Sequence, residues 1–192
     1  MSDAHAAGGP PTDPARDANL LGAVVLAVAE RLDRATREAA AHGGSAPAAL
    51  IALGSFLDGS SIDALRRSLG LTHSAAVRLV DRLTGAGLVT RAAGEDARSV
   101  AVFLTEAGRR AAEHVQRSRM AALAEVLDSL SPAERAQLST AHERLLDGLT
   151  WGRADARHIC RMCDSHACGH HEGRCPVTRA ADRAEAALGA AS

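Results

Sequence analysis

The sequence predicts a mostly α-helical fold with a single small β-hairpin. Three observations predict it. Apolar residues recur every three or four positions along most of the chain. Capping and breaking residues stand where those runs begin and end. Two short apolar runs, 88–90 and 99–104, flank the polar stretch 92–98, which is the pattern of a hairpin with a long tip.

The elements follow in order. Residues 1–18 read as a flexible lead-in, because Gly8-Gly9-Pro10-Pro11 punctuates them. Asn19 is a cap for a helix over 20–41, whose apolar positions Leu21, Val24, Val25, Val28 and Leu32 lie on one face. Pro47 stands near the start of a second helix, which ends at Asp58-Gly59. Ser60 or Ser61 caps a short helix ending at Leu69, with Ile62, Leu65 and Leu69 inward, and Gly70 breaks it. Thr72 caps the next helix, which runs to about Thr84 with Ala76, Leu79, Val80 and Leu83 inward. After the hairpin, Thr105 opens a long helix over 106–130. Ser131-Pro132-Ala133-Glu134 then combines a cap, a first-turn proline and a capping-box glutamate, and starts a helix reaching Leu149. Domain organisation is therefore a lead-in (1–18), a helical body (19–150), a cysteine-rich segment (151–180) and a tail (181–192).

A short helix, a glycine-containing turn, a second helix and a hairpin together spell a winged helix-turn-helix with long flanking helices. A helix of this kind fits the major groove of double-stranded DNA, where its first turns meet base edges. Thr72, His73 and Ser74 are short polar groups at that position. Arg78 suits guanine or a phosphate, and Arg82 a phosphate. Arg98 near the hairpin tip suits the minor groove, with Arg91 at the hairpin base. Between residues 61 and 110 stand eight arginines and five carboxylates, a local excess of three, against a net charge of -1 over the chain. The competing reading is a winged-helix protein–protein interaction module with a structural zinc site, its arginines merely solvated.

The stretch from Leu65-Arg66-Arg67 through Thr72-His73-Ser74 to Asp81-Arg82-Leu83 resembles the MarR family of bacterial transcriptional regulators. The resemblance continues through Gly87-Leu88-Val89-Thr90-Arg91, Asp96-Ala97-Arg98 and Leu104-Thr105-Glu106-Ala107-Gly108, and spans roughly residues 20–150. It implies a homodimer that binds a pseudo-palindromic operator, usually as a repressor released by a ligand or by oxidation. It also implies that Asp96 steadies the wing arginine, Arg98. Members often take an apolar or phenolic small-molecule effector. Dimerisation has an independent argument. Leu123, Val126, Leu127, Leu130, Leu138, Leu145, Leu146 and Leu149 exceed what one small winged domain can cover.

Composition narrows the classes. The chain has 192 residues, 46% hydrophobic and 2% aromatic, and all 22 of its strong bases are arginine. The few aromatics argue against a base-stacking or glycan-binding module. No run approaches about 18 apolar residues, so no membrane span is expected. Met1-Ser2-Asp3 does not open a signal peptide, and a cytoplasmic protein is expected. No nucleotide-binding glycine motif, metalloprotease motif or zinc-deaminase motif is present, so no enzyme is expected.

Four cysteines, Cys160, Cys163, Cys168 and Cys175, fall within sixteen residues, and none precedes them. In a reducing compartment such clustering indicates a metal or redox site rather than a disulfide framework. Four soft ligands at close spacing suit a closed Zn2+ site. His158, His166, His170 and His171 are substitute ligands for a mixed site. An iron–sulfur cluster is the main competitor, and a thiol–disulfide switch the next. The site is either a structural clasp or a sensor. Trp151 reads as a packing anchor and Met162 as local filler.

Overall fold

The computed structural model describes residues 13–94 and 100–190. It bears out the mostly helical architecture with a small wing. Helix α1 (Pro14–Ala39) is followed by α2 (Ala46–Ala52), α3 (Ile62–Leu69) and α4 (His73–Gly85). Strands β1 (Ser60–Ser61), β2 (Val89–Ala93) and β3 (Val100–Leu104) form the sheet. Helices α5 (Glu106–Leu127), α6 (Pro132–Gly148), α7 (Arg153–Ile159) and α8 (Pro176–Ala190) complete the described chain.

Local chemistry explains most boundaries. Ser61, Thr72 and Thr105 each accept a hydrogen bond from a backbone N–H three residues on, at 3.2, 3.3 and 3.0 Å. Each hydroxyl satisfies one of the donors that a helix start leaves unpaired. Ser131 and Glu134 form the expected capping box at the head of α6. Gly70 closes α3 with φ +66°, a left-handed conformation that favours glycine.

Three boundaries differ from expectation. Helix α1 starts at Pro14 rather than Leu20, because Asp13 accepts from Ala15 N at 3.0 Å and Pro14 takes the first helical position. Part of the expected lead-in is therefore helix. Helix α2 passes into a π turn over Leu53–Leu57. Helix α5 ends at Leu127, three residues before Leu130.

The sheet order is β1-β3-β2, all antiparallel. Val89 pairs with Leu104 and Arg91 with Val102 across the hairpin. The β1 strand, which the sequence reading assigns only to a helix cap, pairs Ser60 with Val102. Asp58 fastens the same edge by accepting from Leu104 N at 3.2 Å.

The main core joins α2, the π turn, α3, α4, the hairpin and the start of α5. Leu53, Leu65, Leu79, Val80, Leu83 and Val102 are essentially buried. Each such side chain contributes about 1.5–3 kcal/mol relative to exposure. The first turn of α5 presses against the hairpin: Thr105 N donates to Leu88 O at 3.0 Å, and Thr105 Oγ1 to Gly87 O at 2.7 Å.

The long helices contrast with this core. No residue of α1 or α6 is buried. Leu20, Leu21, Val24 and Val25 of α1 are 44–56% exposed. Leu145 and Leu149 are 45% and 62% exposed. Trp151 is 80% exposed, which corrects its expected role as a packing anchor within the chain.

Beyond residue 150 the segment is more ordered by helix than the sequence reading anticipates. Helix α8 crosses the expected boundary between cysteine segment and tail at residue 180. It starts with a proline and buries Val177, Ala180 and Ala181. Arg153 of α7 holds α8 through Asp182 at 2.6 Å and Glu185 at 2.8 Å. Arg183 of α8 pairs with Asp147 of α6. Among the described residues no helix is long and apolar enough to cross a membrane.

Candidate nucleic-acid interface and cysteine cluster

Helix α4 has two distinct faces. Ala76, Leu79, Val80 and Leu83 are buried, as expected. That anchoring turns His73, Ser74, Arg78 and Arg82 to the exposed side. Thr72 lies beside them but is committed to the cap, with its hydroxyl 3.4 Å from Ser74 Oγ. Arg78 and Arg82 make no ion pair among the described residues, so their guanidinium groups remain available to an anion.

The neighbouring charges are more constrained. Arg66 donates to Asp63 at 2.8 Å, and Arg67 also pairs with Asp63. The Arg66 hydrogen bond holds the Asp63 carboxyl below its ordinary range, with the nearby Arg67 and His73 adding to the effect. Arg91 donates to Asp81 at 2.6 Å. The hairpin base is thereby clipped to the exposed side of α4, a pairing that sequence spacing did not reveal. The wing residues Asp96 and Arg98 lie outside the described residues.

The four cysteines approach one another from three local elements. Cys160 begins a 3-10 turn at the end of α7, and Cys163 follows it. Cys168 lies in the turns beyond, and Cys175 immediately precedes α8. Asp164 organises the loop between Cys163 and Cys168 by accepting from His166 N at 2.9 Å and Ala167 N at 3.0 Å. All four cysteines are free thiols, and Cys175 is 2% exposed.

The thiols perturb each other. The Cys160 thiol donates toward Cys163, which raises its own pKa, and burial raises it further. That donation lowers Cys163 to about 7, assisted by the guanidinium groups of Arg119 and Arg161 and opposed by burial. Burial raises Cys168 to about 11, and the nearby Cys175 adds to it. The four sulfurs are therefore within electrostatic range of one another. Even so, among the described residues no group of three or more His, Cys, Asp or Glu side chains closes to metal-holding geometry. Both findings hold together: ligation requires closer convergence than mutual repulsion does.

The histidines have other partners. His158 Nδ1–H donates to Ser68 O at 3.1 Å. His170 Nδ1 lies 3.0 Å from Thr178 Oγ1, and its ring meets Phe56 edge-on at 5.1 Å. His171 Nε2 lies 3.1 Å from Ser165 Oγ. The His166 ring stacks obliquely on His171, with centroids 4.8 Å apart. Met162 packs against the main core, as a filler should.

A cavity of about 550 Å³ opens between α2, α5 and the cysteine loop. Ile51, Leu104, Ala112 and Met120 give it apolar walls, while Arg109 and His166 give polar ones. The buried Gln116 Oε1 beside it has no hydrogen-bond partner among the described residues.

Comparison with known proteins agrees with this architecture. Residues 44–99 match the model of the MarR family. A MarR family protein from Bacillus stearothermophilus is 28% identical, with a TM-score of 0.61 over 70% of this chain and 96% of that one. RV1404 from Mycobacterium tuberculosis is 22% identical, with a TM-score of 0.61 over 72% of this chain and 95% of its own. MepR, a transcription regulator of the Staphylococcus aureus multidrug efflux pump MepA, is 17% identical, with a TM-score of 0.59 over 69% and 98%. No curated protein matches the chain. The fold is that of the MarR-family winged helix-turn-helix proteins. The family match ends at residue 99, far before Cys160.

Proposed function

We propose that this chain is a homodimeric, sequence-specific DNA-binding regulator, acting as a repressor on a pseudo-palindromic operator. The observation that carries the reading is the two-faced helix α4. Its buried side fixes it to the core, and its exposed side presents His73, Ser74, Arg78 and Arg82. A positioned polar helix beside a wing suits major-groove binding. Arg91 and Arg98 supply the wing contacts, with Asp96 as the support of Arg98.

The homodimer is supported by the exposed apolar positions of α1 and α6. The apolar candidates on α5 and α6 are all left exposed or only half-buried. A second copy laid on these helices removes that surface from water. An apolar effector bearing a polar or anionic group suits the cavity between α2 and α5, where Arg109 meets apolar walls.

The cysteine cluster is proposed as a Zn2+ site with Cys160, Cys163, Cys168 and Cys175 as ligands. Support comes from the donor set itself, four free soft thiols within sixteen residues. His158, His170 and His171 already bond to serine or threonine, which favours the all-cysteine set. Zinc supplies structural closure there and releases thiol protons on binding.

Selection of genomic fragments on the purified protein at low salt tests the DNA reading. Retention of a discrete set of fragments, weakened as salt rises, supports it. Absence of any sequence-selective retention rejects it in favour of the protein–protein module. Element analysis after anaerobic purification tests the metal: a colourless protein with zinc supports the site, and a brown one with iron and sulfide supports the iron–sulfur alternative.

A further inference from the structure

The cavity between α2 and α5 has a further wall, and it comes from beyond residue 150. Asp164, Ser165 and His166 line it together with residues of α5. They lie far past the family-matched stretch. Hydrogen bonds hold this wall in place. The Asp164 carboxylate accepts from His166 N and Ala167 N, which fixes the turn. Ser165 is buried, with its hydroxyl 3.1 Å from His171 Nε2. The π turn over Leu53–Leu57 grips the segment from the other side. Its Gly54 and Ser55 line the cavity, Ser55 Oγ donates to Cys163 O at 3.4 Å, and Phe56 meets the His170 ring. Single π turns of this kind recur at functional sites. Helix α7, which leads into the segment, is fastened to α3, where the buried Ser68 Oγ donates to Arg157 O at 3.1 Å.

The lining sets the chemistry of an occupant. Ile51, Leu104, Ala112 and Met120 suit an apolar body. Each arginine of the lining already faces a carboxylate: Arg117 lies 3.7 Å from Glu113, and Arg109 lies 3.4 Å from Glu106. That pairing favours an uncharged polar end over an anionic one. Two hydrogen-bonding groups remain. Gln116 Oε1 is buried without a partner, and His166 stands at the exposed lip with no hydrogen bond to its ring nitrogens among the described residues. The terminal torsion of glutamine is soft, so this oxygen can turn to a donor in the cavity. An unmet buried acceptor is costly, and a ligand donor relieves that cost.

We propose, resting on the effector reading of this cavity, that residues 164–166 complete the site and that it takes an uncharged apolar molecule whose hydroxyl or N–H donates to Gln116 Oε1. The occupant fixes the 164–166 turn against α5, so the segment beyond residue 150 is part of the ligand site.

Fluorescence titration of the full chain with β-naphthol, β-naphthoate and naphthalene tests the ligand class, because one ring system carries three different ends. β-Naphthol is expected to bind at least about tenfold tighter than either of the others. Gln116→Met keeps the bulk and loses the acceptor, and its preference for β-naphthol over naphthalene falls below about twofold. Hydrogen exchange on the parent tests the wall: saturating β-naphthol slows the amides of His166 and Ala167 at least about threefold. A preference below about tenfold over either probe overturns the ligand class. Protection confined to α2 and α5, with an unresponsive 164–167 turn, overturns the added wall and leaves the effector reading intact. No saturable binding of any of the three probes overturns the effector reading and the proposal together.

Discussion

Gly108→Ala is the substitution whose cost the geometry fixes best. Gly108 lies in the first turn of α5, pressed against the backbone of the hairpin. A Cβ there would stand 2.0 Å from Leu88 O, 3.0 Å from Leu88 C and 3.1 Å from Leu104 Cδ2. The first of these obstacles is a backbone carbonyl, which cannot rotate away. That carbonyl also accepts from Thr105 N at 3.0 Å, so retreat strains the bond that seats α5. Overpacking of this kind costs about 1–3 kcal/mol. Loss of the hydrogen bond adds about 0.5–1.5 kcal/mol. The helix preference for alanine returns about 1 kcal/mol. The balance is a destabilisation of roughly 2 kcal/mol. Urea unfolding at fixed protein concentration should show a midpoint lower by about 1 M at an ordinary slope. Gly148→Ala is the control: among the described residues nothing lies within 4 Å of its added carbon. A Gly108→Ala midpoint equal to or above that of the parent would refute the reasoning.

Other expectations follow from the charged and cysteine sites. Asp81→Asn frees Arg91, and the exposed pair is worth only about 0–1 kcal/mol, so stability stays nearly unchanged. Binding to nonspecific duplex should strengthen, with a steeper salt dependence measured by titration; weaker binding contradicts the role given to that clip. The Ser131 hydrogen bonds hold the Glu134 carboxyl below its ordinary value of 4.5. A carboxyl lowered on folding stabilises above its unfolded pKa and loses that contribution as pH falls through its folded pKa. Glu134→Gln should therefore differ from the parent in urea at neutral pH and converge with it in acid, whereas a pH-independent difference argues against the ionised cap. Replacing Cys160 and Cys163 with serine should reduce bound zinc from about one per chain towards none. Full retention of metal in that double variant contradicts the ligand assignment.

The reading head was legible because its signals are local. Thr72 caps α4 within three residues, and the spacing of Ala76, Leu79, Val80 and Leu83 sets its buried face without help from distant chain. The start of α1 is harder to see in the sequence, because Asp13-Pro14 carries its cap signal inside a stretch dominated by glycine and proline. Helix α8 was hidden differently. Its buried positions, Val177, Ala180 and Ala181, are small and make a weak apolar stripe directly after the last cysteine. The tie between Ser68 and residues 157–158 joins positions about 90 apart in the chain. The only local hint was a small polar residue three positions after the buried Leu65, at a place that turned out to face inward. The histidines near the cysteines looked interchangeable in sequence. Their partners, Ser68, Thr178 and Ser165, come from different surroundings and separate their roles.

The central claim is that two copies of α4 read adjacent turns of one DNA face. Hydroxyl-radical footprinting on a selected genomic fragment tests it most directly, with the parent and Arg78→Ala run side by side. The account predicts two protected patches related by a two-fold axis and about 34 Å apart, or one helical turn. It also predicts that Arg78→Ala weakens both patches equally. A single unpaired patch, or protection that ignores Arg78, would contradict it.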